Sequence, residues 1–207
     1  MSLSQIAALA ITTLVLMTGG CARQTEIIKL YDNSAAIEQR FQRVLVLAIA
    51  NNENSRRRLE ELITSNLSSA GVDAVTAYSE TGLNVPVLQR EIDAAARNTE
   101  SDAILITHIA SVDTTVDVKP GQVDIISECR GGDPIDFFLY DHRELKEPDS
   151  VKFAHTVVVI TNLYKAGSGE RIWTIQSTCF EKASMDEVLH DEAEAIVRQL
   201  QIDKLVK

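Results

Sequence analysis

Several features that common functions require are missing from this sequence. It contains no glycine-rich phosphate-binding pattern, no HExxH metal motif and no GxSxG serine motif, and no apolar run long enough to span a bilayer. Basic residues are outnumbered, with 20 Lys and Arg against 30 Asp and Glu. Because a net charge of −10 repels phosphate groups, we expect neither nucleic-acid binding nor charge-driven membrane binding.

The N-terminus has the pattern of an exported protein. Ile6 to Met17 form an apolar run of roughly twelve residues, which suits a signal-peptide core and is too short to cross a membrane. The following residues, Thr18-Gly19-Gly20-Cys21, resemble the lipobox of bacterial lipoproteins. The alternative is an ordinary secretory peptide followed by an unrelated cysteine.

The lipobox resemblance implies a fate for Cys21. In that family the leader is cut before the cysteine, which receives a diacylglycerol on its thiol and an acyl chain such as palmitate on its new amino group. These chains suffice for stable anchoring to a membrane. Ala22 follows the cysteine, where an Asp would oppose outer-membrane sorting. The resemblance therefore implies an outer-membrane lipoprotein that faces the periplasm.

The rest of the chain divides into a tether, residues 21–42, and a single α/β domain, residues 43–207. With 45% hydrophobic residues the composition is that of a packed domain. Arg43–Ala50 and Asp102–Ala110 are nearly continuous apolar runs, which is typical of strands covered on both faces.

Between these two strands, periodic apolar residues predict a helix over 52–70, a strand over 72–77 and a second helix that begins at Pro86. The order β-α-β-α-β predicts parallel central strands.

The second half has a different pattern. Val151–Tyr164 and Glu170–Glu181 predict an antiparallel hairpin with glycines at its turn, and Ser184 opens a C-terminal helix. Residues 114–150 are rich in Pro, Gly and Asp and predict a loop with one weak strand near 123–127. The expected fold is thus a single mixed α/β sheet.

This order of elements is similar to that of the penicillin-binding-protein activator lipoproteins and the N-terminal domain of TolB. Those proteins assist envelope assembly without catalysis, so the resemblance implies a binding role. Because it rests on element order alone, it assigns no functional residue here.

The polar residues give little indication of catalysis, and we predict no catalytic residue, metal or cofactor. His108 and His155 lie in strands that could be neighbours, which leaves a two-histidine site open, although polar side chains at strand edges are the simpler interpretation. Ser168 stands between glycines at a predicted hairpin tip, far from any strand-to-helix turn.

Cys129 and Cys179 remain once Cys21 carries lipid. An even pair in an oxidising compartment predicts a disulfide, with two free thiols as the alternative.

The segment 133–140 concentrates apolar and aromatic residues within the predicted loop. Phe137, Phe138 and Tyr140 are the candidate partner-binding residues, because exposed apolar clusters mark binding sites. The alternative is that these side chains pack the loop against the core. The expected function is therefore a non-enzymatic, membrane-anchored protein that binds another envelope component. A hydrolase or small-ligand protein, and a purely structural lipoprotein, remain as alternatives.

Overall fold

The computed structural model describes residues 25–37, 39–82, 87–119, 123–129, 140–146 and 150–207. The strands are β1 Glu26–Asp32, β2 Arg43–Ile49, β3 Asp73–Thr76, β4 Ala103–Lys119, β5 Val123–Cys129, β6 Tyr140–Lys146, β7 Ser150–Lys165 and β8 Arg171–Lys182. The helices are α1 Glu53–Ser69, α2 Tyr78–Thr81, α3 Gln89–Asn98 and α4 Met185–Ile202, and a 3-10 helix spans Ser34–Ala36.

Six strands form one mixed sheet in the order β1-β8-β7-β4-β2-β3. β2 pairs in parallel with β3 and with β4, while β4, β7, β8 and β1 pair antiparallel. This confirms the mixed α/β sheet expected from the sequence. β5 and β6 form a separate two-stranded sheet.

Helices cover both faces of the six-stranded sheet. α1 and α4 supply the larger core through stripes at helical spacing, and α3 packs on the opposite face through Ala95 and Ala96. The first two stripes comprise Leu59, Ile63, Leu67, Leu189, Ala193, Ile196, Val197 and Leu200. Asn52 and Ser184 cap α1 and α4, because their side chains accept hydrogen bonds from the backbone N–H of Ser55 and Glu187. None of the helices in the described part of the chain is long and apolar enough to cross a membrane.

Three stretches differ from the expected elements. Residues 26–32, assigned to the tether, form an edge strand paired with β8. Residues 78–81, which follow the predicted strand 72–77, form one helical turn. β4 continues to Lys119, where a loop was expected from about Thr114, because this part of the chain pairs with β7 and places Val112, Val116 and Val118 on one face.

Candidate functional site

Most of the residues predicted to bind partners or lipid lie outside the described residues. Cys21, Phe137 and Phe138 belong to this group. Tyr140 is the first residue of β6, and its backbone pairs with Cys129 at the end of the β5–β6 hairpin. The proposed lipid attachment and the partner-binding role of 133–140 therefore stay predictions.

Cys179 lies in β8 beneath α4 and is fully buried with a free thiol. Burial and the nearby Glu192 carboxylate raise the pKa of Cys179 to about 11, which disfavours the reactive thiolate. Cys129 is described only by its backbone in β5, so the Cys129–Cys179 disulfide stays a prediction.

The two strand histidines do not meet. His108 lies opposite Ile160 in the β4–β7 register, whereas His155 lies opposite Thr114 and makes a 2.9 Å hydrogen-bond contact with its hydroxyl. At the rise of a strand, His155 and Ile160 are about 16 Å apart. No cluster of His, Cys, Asp and Glu suited to a metal ion occurs among the residues that the structure describes.

Ser168 lies in the turn between β7 and β8, where its hydroxyl accepts a 3.3 Å hydrogen bond from the backbone N–H of Glu170. This is the local bonding of a turn serine.

The most unusual feature is a two-stranded ribbon that extends past the rest of the sheet. We define the ribbon as residues 111–119 of β4 paired with residues 150–158 of β7. The pairing of β2 with β4 ends at His108, and that of β8 with β7 ends at His155. Beyond these points each ribbon strand has one edge without a neighbouring strand among the described elements.

One face of this ribbon is apolar and exposed. In the register, Val112, Val116 and Val118 lie opposite Val157, Phe153 and Val151. Opposite residues of an antiparallel pair project on the same face. The apolar ribbon face is defined here as the five exposed members of this set, whose relative exposure is between 40% and 56%: Val112, Val116, Val118, Val151 and Phe153. The other face carries Asp113, Asp117 and Lys152.

The apolar ribbon face continues the hydrophobic core. Val157 and Val159 of β7 pack with Cys179 and with Val188 of α4 in a buried cluster. α4 begins at Met185, and from there outward the face has no helix over it in the described structure. Sequence analysis missed this surface because Asp, Gly and Pro nearby favoured a loop, although the apolar alternation at 112–118 was a visible signal.

The N-terminus of the described chain lies at the end of the sheet from which the ribbon projects. Glu26 pairs with Thr178, Thr178 with Val158, and Val158 with Ser111, the first ribbon residue of β4. β1 runs away from that end toward Asp32, which pairs with Trp173. The first described strand of the chain therefore begins beside the base of the ribbon.

A buried ion pair organises the same end of the sheet. The Arg56 Nε donates to the Glu60 Oε1 at 3.0 Å, and both side chains are almost completely buried. Glu60 also accepts hydrogen bonds from the backbone N–H of Ala48, after the middle of β2, and of Tyr78, at the start of α2. Burial raises the pKa of Glu60, and these donors act against that rise. The pair joins α1, β2 and α2.

A cavity lies elsewhere among the described residues, between α3 and the β7–β8 turn. It has a volume of about 550 Å³ and is open to solvent. Its lining includes charged and small polar side chains: Asp93, Arg97, Glu100, Ser101 and Ser168.

The fold and its surfaces define a mixed α/β domain whose sheet extends into an amphipathic ribbon. No protein-family model and no curated protein matches the sequence.

Among solved structures, a PelC dodecamer from Paraburkholderia phytofirmans is 13% identical, with 89% of this chain and 100% of that chain covered and a TM-score of 0.49. The lipoprotein GNA1162 from Neisseria meningitidis is 15% identical, with 77% and 98% covered and a TM-score of 0.41. At these values the similarities do not establish a shared function.

Proposed function

We propose that this chain is a non-enzymatic lipoprotein, anchored through Cys21 to the outer membrane, which faces the periplasm and binds another envelope component. The observation that carries the proposal is the leader ending at Thr18-Gly19-Gly20-Cys21, directly ahead of the domain. Only residues 22–25 separate Cys21 from β1. Five residue steps reach at most about 17 Å, so an anchored domain would stay next to the bilayer.

The candidate partner surface is the segment 133–140. β5 and β6 pair in register from Val123 with Lys146 to Cys129 with Tyr140, so Tyr140 is the member of this segment that the structure describes. Aromatic residues are enriched at protein interfaces. Phe137, Phe138 and Tyr140 fit a protein partner on these grounds.

In-cell photo-crosslinking tests this partner surface. A photoreactive amino acid at Phe138 should give a discrete adduct with an envelope protein, while the same probe at Arg57, which is exposed on α1, should give none. Phe137→Ser should weaken capture from position 138. The absence of an adduct from positions 137, 138 and 140 alike would exclude this surface as the binding site.

The cavity beside α3 favours a second candidate, a small-ligand protein or hydrolase. Asp93, Arg97 and Ser101 offer charges and a hydroxyl for a polar ligand. A thermal-shift screen with a panel of polar metabolites should then find a stabilising compound whose effect is lost in Arg97→Gln. A panel without effect on the wild-type chain would count against this function.

A further inference from the structure

We propose that the apolar ribbon face lies on the lipid bilayer that holds Cys21. This inference rests on the proposed lipid anchor and adds a second contact between the protein and its membrane. The apolar ribbon face would contact the boundary between the lipid headgroups and the acyl chains. The residues that would contact lipid are Val112, Val116, Val118, Val151 and Phe153.

The ribbon is longer than the segment that joins Cys21 to β1. Glu26 and Ser111 lie at the same level of the sheet through the register that joins them. From that level the lipid on Cys21 is at most about 17 Å away. The ribbon extends from Ser111 to Lys119 on the N-terminal side of β1, and its length is about 26 Å at the rise of a strand. The ribbon is therefore longer than the segment from Cys21 to Glu26 and reaches the anchoring membrane.

The two faces of the ribbon differ in polarity. Its apolar face presents only Val and Phe as exposed large side chains, with Thr114 and His155 bonded to each other between them. Asp113, Asp117 and Lys152 project from the opposite face. An element with one apolar and one charged face lies in the plane of a membrane interface, with its charges toward water.

The backbone edges of the ribbon limit how deep it can lie in the bilayer. β4 beyond His108 and β7 before His155 each have one backbone edge without a neighbouring strand among the described elements. Unpaired N–H and C=O groups are costly in hydrocarbon and can bind water at the headgroup level. A single ribbon therefore lies along the surface. Because lipid on Cys21 would hold the bilayer near the ribbon, the effective lipid concentration at this face is high.

Two matched tryptophan variants test the proposal. Phe153 and Lys152 are neighbours in β7 that project to opposite faces, and Trp173, the one native tryptophan, is fully buried. Lipidated protein carrying Phe153→Trp or Lys152→Trp is reconstituted in phosphatidylethanolamine and phosphatidylglycerol vesicles that contain phosphatidylcholine brominated near the top of its acyl chains. After subtraction of the wild-type signal, we expect quenching at position 153 to be at least about twofold that at position 152.

The outcomes separate the two proposals. The mass of the reconstituted protein shows whether Cys21 carries lipid, and an unlipidated cysteine would refute the anchor itself. If the protein is lipidated, equal quenching at both positions, or none, would overturn the membrane contact alone. An unquenched position 153 whose emission shifts to the blue as protein concentration rises would show that a second copy covers the face, which would also overturn the proposal. Circular dichroism confirms that both variants fold.

Discussion

Two carboxylates, Glu60 and Glu192, are fully buried but differ in their partners. Glu60 accepts hydrogen bonds from Arg56 and from two backbone N–H groups. Glu192 on α4 accepts one from the Ser177 hydroxyl, and its Oε1 has no hydrogen-bond partner. Burial raises the pKa of Glu192 to about 7, with the Ser177 hydrogen bond opposing the rise and Asp191 adding to it. The two residues should therefore respond differently to pH and to mutation.

Glu192→Gln tests the buried carboxyl. Because the folded chain holds this proton more tightly than the unfolded chain, the stability of the wild type should fall as pH rises from about 4.5 to about 7 and stay lower above that. Gln keeps the neutral shape and cannot ionise. At pH 8 the variant should be more stable by about 2 to 3 kcal/mol, and at pH 5 within about 1 kcal/mol of wild type.

Urea unfolding at the two pH values measures this difference. Glu194→Gln is the control, because Glu194 is exposed on the same helix, where a substitution should change the free energy of unfolding by no more than about 0.5 kcal/mol. Equal pH dependence in Glu192→Gln and wild type would show that Glu192 ionises normally.

Arg56→Ala should lower the free energy of unfolding by about 3 to 5 kcal/mol, because it leaves the Glu60 carboxylate buried without its charge partner. Arg57→Ala, at an exposed position of the same helix, should stay within about 0.5 kcal/mol of wild type. Urea unfolding at pH 7 measures the free energy of unfolding of both variants. Similar values for the two variants would contradict a structural role for the ion pair.

At the scale of elements, the buried strands and helices were predictable because apolar residues repeat with the period of each. β2 is apolar on both faces, and α1 and α4 each carry a stripe. The outer half of β4 was not predictable in this way. Its residues are stabilised by pairing with β7, which lies far along the chain, and not by burial. Local residue preferences for loops therefore outweighed the alternation at 112–118.

The ribbon's one-sided pairing predicts unequal backbone protection within β4. Leu105 and Thr107 lie between β2 and β7 and are buried, whereas Thr115 and Asp117 pair with β7 alone and are exposed. In detergent-free solution of the unlipidated chain, amides at 115–117 should exchange at least about 100-fold faster than those at 105–107. Uniform protection along β4 would show that another chain covers the ribbon. Hydrogen exchange resolved by NMR measures both segments at once.

At the scale of the whole molecule, a local pattern predicts lipid on Cys21, whereas the position of β1 in the sheet was not predictable from the sequence. The lipobox pattern around Cys21 is local in sequence. The position of Glu26 beside the ribbon depends on three successive strand pairings that link Glu26 to Ser111. Phe137 and Phe138 stand out by composition alone, and their part in binding stays a prediction. The sheet register is what brings the proposed anchor and the amphipathic ribbon to one end of the domain.

Mass spectrometry of the N-terminal peptide from protein purified out of bacterial membranes tests the central claim most directly. The account predicts a peptide that begins at Cys21 and carries a diacylglycerol and an additional acyl chain, and Cys21→Ser should abolish both the modification and membrane retention. An intact Met1, or an unmodified thiol at position 21, would contradict the lipid anchor and with it the membrane contact of the ribbon.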